Sequence, residues 1–254
     1  MRVSLFHKAA VVAAASLLAS AGAAVASELL QNANLDRGYA QEIVPGFFLP
    51  KPDNWVNVGI RAITGPYEDE MSLEPWAGPA PTPVTTDGNG PFPNGVGAGL
   101  DGGVFFKPFT GNPANGPATG HLYQDVPGSA GLPYTLTGWA GAEANALMGG
   151  AEMAIEFRNS SNALISSSVL NLLPTLQTPN GQPFNYKFYT LTAVAPAGTS
   201  VVRARVSMID GVPNPAGGGQ AFVVDDFSLT IPEPSSLALM GLGGAVLLAR
   251  RRVR

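Results

Sequence analysis

The second half of the chain is a series of short segments in which apolar and polar residues alternate, separated by clusters of turn-forming residues. In the clearest segment, 152–158, the odd-numbered residues would face a core, whereas Glu152 and Glu156 would face solvent. No long amphipathic helical pattern interrupts the series, which therefore predicts an all-β sandwich. The other predicted strands of this half are Leu122–Val126, Tyr134–Ala140, Phe184–Thr192, Ser200–Met208 and Ala221–Leu229.

The region between residues 64 and 118 has a different character, with 11 glycines and 10 prolines. Such a density excludes a continuous helix or a central strand. We expect one domain at 27–230 with a long Gly/Pro-rich loop insertion over 61–118, which contains short strands, for example around Gly103–Phe106. Two further strands, Glu28–Asp36 and Trp55–Ile60, precede the insertion.

The N-terminus has the three parts of a secretory signal peptide. Arg2 and Lys8 form a charged region, and the apolar run that follows is shorter than the ~20 residues needed to span a bilayer. Small residues then lead to Ala24-Val25-Ala26, a cleavage site of the A-x-A type. This pattern predicts that 1–26 is a signal helix, removed to leave Ser27 as the new N-terminus.

The C-terminus combines a proline-rich tripeptide, an apolar stretch over 237–249 and a cluster of arginines. This tail closely resembles the PEP-CTERM sorting signal of Gram-negative bacteria. The resemblance implies processing by an exosortase-type membrane enzyme in a host that makes exopolysaccharide, with 231–254 as a hydrophobic helix that anchors the chain transiently in the inner membrane. An ordinary C-terminal anchor remains an alternative. The sorting residues would be Pro232, Glu233, Pro234, Arg250, Arg251 and Arg252.

Charge and residue usage exclude several classes of function. The basic residues concentrate at the two removable ends, so the mature region is more acidic than the net charge of −4 for the whole chain. An acidic surface repels phosphate backbones, which makes nucleic acid an unsuitable partner. The absence of cysteine excludes disulfides and thiolate zinc sites.

No catalytic constellation is evident in the mature region. His121 is its only histidine, and no Gly-x-Ser-x-Gly motif is present to hold a serine nucleophile. Glu152 and Glu156 lie about 13 Å apart along a strand, beyond the ~5–9.5 Å of a glycosidase pair. We interpret them as solvated carboxylates and expect that the protein is not an enzyme.

Several segments of the middle region together resemble jelly-roll carbohydrate-binding modules with a galactose-binding-like fold. The resemblance implies a jelly-roll sandwich over most of 27–230, although 61–118 does not align. The fold alone does not establish sugar binding, because it supports many functions. The resembling segments are Leu29–Asn32, Leu122–Gln124, Tyr134–Ala140, Ala195–Thr199 leading into Val202–Val206, and Val224–Leu229.

Asp225 and Asp226 are adjacent in a predicted strand, so one of them would point inward, where a carboxylate needs a cation or hydrogen-bond donors. In the modules that the chain resembles, carboxylates of the first and last strands share a structural Ca²⁺. The resemblance thus implies a calcium site formed by Glu28, Asp36 and either Asp225 or Asp226. Backbone N–H groups or Arg203 are the alternative partners, and both readings stay open.

Aromatic residues that can stack on a sugar ring are candidates for ligand contact. Trp76 lies in a loop between Pro75 and Gly78, and we select it together with Trp55 and Tyr67 as ligand-binding residues; Trp139, in mid-strand, is expected in the core.

These observations favour an exported, non-catalytic protein of the cell surface or extracellular matrix that binds polysaccharide, either the exopolysaccharide of its host or a foreign glycan. The alternative is an inert structural surface protein without a specific ligand, and a hydrolase is the weakest of the three hypotheses.

Overall fold

The structure is a computed structural model that describes residues 26–62, 65–66, 71–75, 102–108, 116–176, 187–217 and 219–232. Residues Glu28–Thr230 form one compact unit, which contains all thirteen strands found in these ranges. In chain order they are β1 (Gly38–Val44), β2 (Phe47–Pro52), β3 (Val56–Arg61), β4 (Gly65–Pro66), β5 (Met71–Pro75), β6 (Gly102–Phe106), β7 (Ala118–Pro127), β8 (Pro133–Ala142), β9 (Gly150–Arg158), β10 (Leu164–Asn171), β11 (Lys187–Val194), β12 (Val201–Gly211) and β13 (Phe222–Thr230).

Two antiparallel sheets form a sandwich, which confirms the predicted all-β fold. The larger sheet has six strands in the order β10-β9-β12-β7-β3-β4, and the smaller has five in the order β11-β8-β13-β6-β5. Among the strands of the described ranges, β1 and β2 pair with each other and form a separate hairpin. Since neighbours in each sheet come from distant parts of the sequence, the large sheet brings β7, β9 and β12 side by side.

The core lies between the two sheets and follows from the alternation in the sequence. One side chain in two along the central strands is buried, as in β7 and β8. Tyr134 of the small sheet meets Phe157 of the large sheet with ring centroids 6.0 Å apart. Opposite Phe227 the chain has Gly138, where a Cβ atom would come within 2.5 Å of the phenylalanine ring.

The structure differs from the prediction near the N-terminus. Residues 31–34 form bends and turns, and Glu28 makes only an isolated bridge to Thr230 instead of starting a strand. Positive φ angles at Asn32 and Leu35, 49° and 56°, break the extended path. The Asn32 side chain then closes the turn by accepting a hydrogen bond from the Arg37 N–H at 3.0 Å.

The Gly/Pro-rich region contains short strands, as expected. Strand β6 covers the predicted segment around Gly103–Phe106, and β5 pairs with it in antiparallel register. Among the described residues, no helix is long and apolar enough to cross a membrane. The predicted signal helix up to residue 25 and the predicted C-terminal helix lie outside the described residues.

Candidate functional site

The outer face of the large sheet carries rows of charged and polar side chains. Strand β12 pairs with β7 on one side and with β9 on the other, so Arg203 lies between Asp125 and Glu156. Arg205 follows two residues further along β12, and two residues beyond it Ser207 lies between His121 and Glu152. Directly opposite residues share a face of a sheet, so these side chains meet above the strands.

Arg203 makes a two-pronged ion pair with Asp125. Its Nε donates to Asp125 Oδ1 at 2.6 Å and its Nη2 donates to Oδ2 at 2.8 Å. The guanidinium carbon also lies 3.6 Å from the centroid of the Tyr123 ring, within the range of a cation–π contact. Two independent contacts therefore fix the plane of this guanidinium.

Glu156 is the centre of a second set of contacts and is only 7% exposed. Arg158 donates to its Oε2 from Nε at 3.0 Å and from Nη2 at 2.6 Å, while Arg205 Nε donates to Oε1 at 2.7 Å. Arg205 also reaches Glu152 Oε2 at 3.4 Å. The prediction that Glu152 and Glu156 are solvated carboxylates is thus wrong for Glu156, because two arginines from neighbouring strand positions cover it.

Burial and the charges of this network shift the pKa values of Glu156 and His121. Burial alone would raise the pKa of Glu156, but the hydrogen bond from Arg158 and the charge of Arg205 outweigh it, so the pKa falls below its ordinary value. Burial, aided by the charge of Arg205, lowers the pKa of His121. At neutral pH Glu156 is therefore ionised and His121 is uncharged.

His121 is held by a serine hydroxyl rather than by a carboxylate. Its Nδ1 lies 2.7 Å from Ser207 Oγ, and Arg205 Nη1 donates to the same oxygen. Because the oxygen already accepts from the guanidinium, its own proton is available for Nδ1. Ser207 is completely buried, so this hydroxyl positions other groups and is not presented to a ligand.

Most of these side chains line an open groove with a volume of about 480 Å³, and Asp125 lies beside it in its ion pair with Arg203. One border is apolar, formed by Val58 and Ile209, and Val56 and Ile60 extend it along β3 as exposed residues. The three arginines and the three carboxylates balance in charge. The groove can therefore offer fixed hydrogen-bonding groups beside an apolar strip without a strong net field. The arginines are Arg158, Arg203 and Arg205; the carboxylates are Asp125, Glu152 and Glu156.

Trp55, one of the three aromatic residues predicted to contact a ligand, is not part of this groove. Trp55 is 4% exposed, its indole N–H donates to Asn32 O at 3.0 Å, and its ring packs 5.4 Å from that of Phe227. This position corrects its predicted role, since a core ring cannot stack on a sugar from solvent. Tyr67 and Trp76 lie outside the described residues.

The remaining tryptophan considered in the sequence analysis lies on the other side of the sandwich. Trp139, expected in the core, is partly buried on the outer face of the small sheet, where its ring lies 5.3 Å from that of the exposed Phe188.

Three of the four carboxylates predicted to bind calcium accept hydrogen bonds from other groups of the protein. Glu28 Oε1 accepts the N–H of Leu30 at 2.8 Å and of Leu229 at 3.0 Å, and Asp225 Oδ1 accepts the N–H of Asp226 at 2.7 Å. The side chain of Asn34 donates to Asp36. Across the described ranges, no three acidic or histidine side chains are grouped so that they could share a metal ion.

The alternative to calcium offered two kinds of donor for the inward aspartate, and of these a backbone N–H group is observed at Asp225, which is buried. Arg203, the other proposed partner, pairs with Asp125 instead. Calcium binding itself stays a prediction.

The sequence predicted that Arg203 and Arg205 lie on one face of a strand, but it did not predict which acidic side chains pair with them. The missing information was the strand order, because Asp125, Glu156 and Arg203 are far apart in the sequence. The usable signal was the recurrence of charged residues at alternate positions in segments 121–125, 152–158 and 203–207.

Comparison with known proteins gives a sequence match at the C-terminus and structural likenesses over the sandwich. No curated protein matches the chain significantly. Among solved structures, the enzymatically active domain of tailspike protein 4 of bacteriophage CBA120 is similar, with a TM-score of 0.48 and 11% identity over 81% of this chain. The matched region spans 21% of the tailspike chain.

Two further solved structures are matched over essentially their whole length. The carbohydrate-binding module TmCBM61, solved with β-1,4-galactotriose, has a TM-score of 0.42 and 14% identity over 81% of this chain and 99% of its own. The adhesin domain of Lys-gingipain from Porphyromonas gingivalis W83 has a TM-score of 0.40 and 13% identity over 84% of this chain and 100% of its own.

The family comparison finds a PEP-CTERM protein-sorting motif at residues 230–252. The match spans the predicted sorting residues, of which Pro232 is described by the structure and Glu233, Pro234, Arg250, Arg251 and Arg252 are not. The chain therefore carries a PEP-CTERM sorting motif and is an exported protein sorted to the cell surface.

Proposed function

We propose that the exported domain is a non-catalytic module that binds a neutral polysaccharide in the groove of the large sheet. The observation that supports this most directly is the groove's wall of arginine and carboxylate side chains that hold one another in place. A sugar hydroxyl can both donate and accept, so such mixed walls suit it. Because the side chains are already fixed, binding would cost little of their rotamer entropy.

The hydrogen-bonding capacity of the groove is not exhausted by its internal contacts. Within the part of the chain that is described, Arg203 donates to Asp125 through Nε and Nη2, which leaves Nη1 for a ligand. The apolar strip of Val56, Val58 and Ile60 offers a surface for the C–H face of a sugar ring.

The balance of charge favours a neutral glycan over an acidic one. An anionic polymer would gain from the arginines but would also meet Asp125, Glu152 and Glu156. We therefore expect binding to depend only weakly on salt, unlike binding driven by a single sign of charge.

A hydrolase is supported less well. Both Glu152 and Glu156 contact the Arg205 guanidinium, so their carboxylates approach more closely than their separation along the strand suggests. A general acid nevertheless needs a raised pKa, whereas the pKa of Glu156 is lowered. The inert structural protein remains the competing hypothesis, and only a binding experiment separates it from the module.

The sorting motif suggests the partners of the rest of the chain. We propose that an exosortase-type enzyme processes the tail, that the tail holds the chain in the inner membrane until then, and that the bound polysaccharide belongs to the exopolysaccharide of the host.

The experiment is affinity electrophoresis of the fragment 27–231 through gels that contain neutral or acidic polysaccharides. We expect retardation by at least one neutral polymer and a loss of affinity of about tenfold or more in Arg203→Gln, which removes charged hydrogen bonds. Lys187→Gln is the matched control, since it removes a cation from the small sheet. Retardation by no polysaccharide, or equal loss in both variants, would refute the proposal.

A further inference from the structure

The hairpin of β1 and β2 ends in an apolar tip formed by residues 44–48, all of which are exposed. Phe47 is 47% and Phe48 48% exposed, and Val44 precedes the turn. Gly46 has a φ of 81°, which glycine adopts without strain after a proline in a tight turn. The sequence thus builds a narrow protrusion whose end is apolar, instead of the polar turn usual on a protein surface.

Each of the two faces of this tip carries an exposed phenylalanine. Val44 pairs with Phe47, whereas Glu42 pairs with Phe48. Consecutive residues of a strand point to opposite faces, so the ribbon presents one phenylalanine on each side. A protein partner that docks on one face of the ribbon would cover one of the two phenylalanines. Surroundings that enclose the whole tip would cover both.

The backbone of the tip has few polar groups to satisfy. Pro45 has no N–H, the Gly46 N–H donates to Glu42 Oε1 at 2.8 Å, and the β1–β2 ladder pairs the strands behind the turn. Unsatisfied backbone groups are what usually keep irregular chain out of lipid. Moreover, the sequence from Ile43 to Pro50 contains no ionisable side chain.

We propose that this tip inserts into the interfacial layer of a lipid bilayer and so holds the exported domain against a membrane surface. The Glu42 carboxylate, fixed at the turn, limits insertion to the level of the headgroups and the adjoining acyl chains, where it keeps its hydration. Since the tip carries no cation and the chain has a net charge of −4, zwitterionic lipid suits it better than anionic lipid. The chain is exported and sorted to the cell surface, so a membrane surface is at hand.

The absence of cysteine allows a single reporter to be placed on the tip. We would label Phe48→Cys with an environment-sensitive nitrobenzoxadiazole dye in the fragment 27–231 and add phosphatidylcholine vesicles. The expected result is a severalfold rise in emission with a blue shift. The matched control is Val194→Cys, which is 64% exposed on β11 and should not respond.

A second measurement tests the tip without a label. The double variant Phe47→Ser, Phe48→Ser should lose co-sedimentation with the vesicles while it melts at the wild-type temperature, and Phe188→Ser, an exposed phenylalanine of the small sheet, should keep it. No response of the tip dye to vesicles would overturn the proposal. A response that needs polysaccharide, or that follows protein concentration without vesicles, would equally overturn it in favour of a glycan or a second copy of the chain.

Discussion

Glu156 offers the sharpest test of how the groove is built, because one carboxylate holds two arginines there. We consider Glu156→Gln, which keeps the shape of the side chain and removes its charge. The variant removes the negative charge and replaces one of the two carboxylate oxygens with an NH2 group, so at most two of the three hydrogen bonds of 2.6 to 3.0 Å from Arg158 and Arg205 keep an acceptor. It should therefore destabilise the fold and loosen the groove at the same time.

The size of the effect follows from the burial of the three side chains. Removing one partner of a fully buried pair costs about 3–5 kcal/mol, whereas an exposed pair contributes about 1 kcal/mol or less. Glu156 is nearly buried, but the side chains of Arg158 and Arg205 are 18% and 14% exposed, so water reaches part of the network. We expect a loss of about 2–4 kcal/mol, which lowers the melting temperature by roughly 5–15 °C for a unit of this size.

The stability lost in Glu156→Gln should also depend on pH, and it should be larger at neutral pH than in acid. The pKa of Glu156 is lower in the folded state than its ordinary value of 4.5, so its contribution is present above that value. The contribution disappears as the pH falls through the folded-state pKa, because the carboxylate is then protonated in both states. The difference between wild type and Glu156→Gln should accordingly be full at pH 7 and shrink in acid.

Calorimetry or circular dichroism of the fragment 27–231 from pH 3 to 7 provides the measurement. Glu152→Gln is the control, because its ion pair with Arg205 has a distance of 3.4 Å and its side chain is 32% exposed; we expect a change below about 1 kcal/mol. Equal melting temperatures for wild type and Glu156→Gln at pH 7, or a difference that grows in acid, would refute the reasoning.

Three further outcomes follow from the sequence and the core. Replacing 232–234 by three alanines should leave the chain unprocessed in the membrane, and mass spectrometry of surface-extracted wild-type protein should find no residues beyond about 234; a mature chain that ends in the arginines contradicts this. If calcium binds, EDTA should lower the melting temperature by several degrees and calcium should restore it. The double variant Asp225→Ala, Asp226→Ala should show no such response. Identical melting curves with calcium and with EDTA would contradict the predicted calcium site. Gly138→Ala should cost about 1–3 kcal/mol in a denaturant titration, since its Cβ would lie 2.5 Å from the Phe227 ring; an unchanged midpoint would mean that the ring moves aside freely.

The sandwich was predictable because its strands alternate with period two, and this local signal fixes which side chains face the core. Segment 152–158 alternates clearly and became β9. The hairpin at 38–52 was not predicted, because its exposed apolar residues interrupt the alternation around the Pro45–Gly46 turn. Strand β10 was also not predicted, because its run of three serines carries little apolar periodicity.

The groove was only partly predictable. Alternation placed Arg203 and Arg205 on one face, but their partners depend on strand order, which the sequence does not state. The misplacement of Trp55 has a different cause. A residue just before a strand can face either way, and the Asn32 carbonyl that accepts its indole N–H draws it inward.

The central claim is that the groove of the large sheet binds the glycan, and amide chemical-shift mapping tests it most directly. The ¹⁵N-labelled fragment 27–231 would be titrated with the neutral polysaccharide that retards it most, shortened to soluble oligosaccharides. Our account predicts that the largest shifts fall on β7, β9 and β12 around His121, Glu156 and Arg205, and that the signals of β11 stay unchanged. Shifts centred on Trp139 and Phe188 of the small sheet, with the groove unaffected, would contradict it.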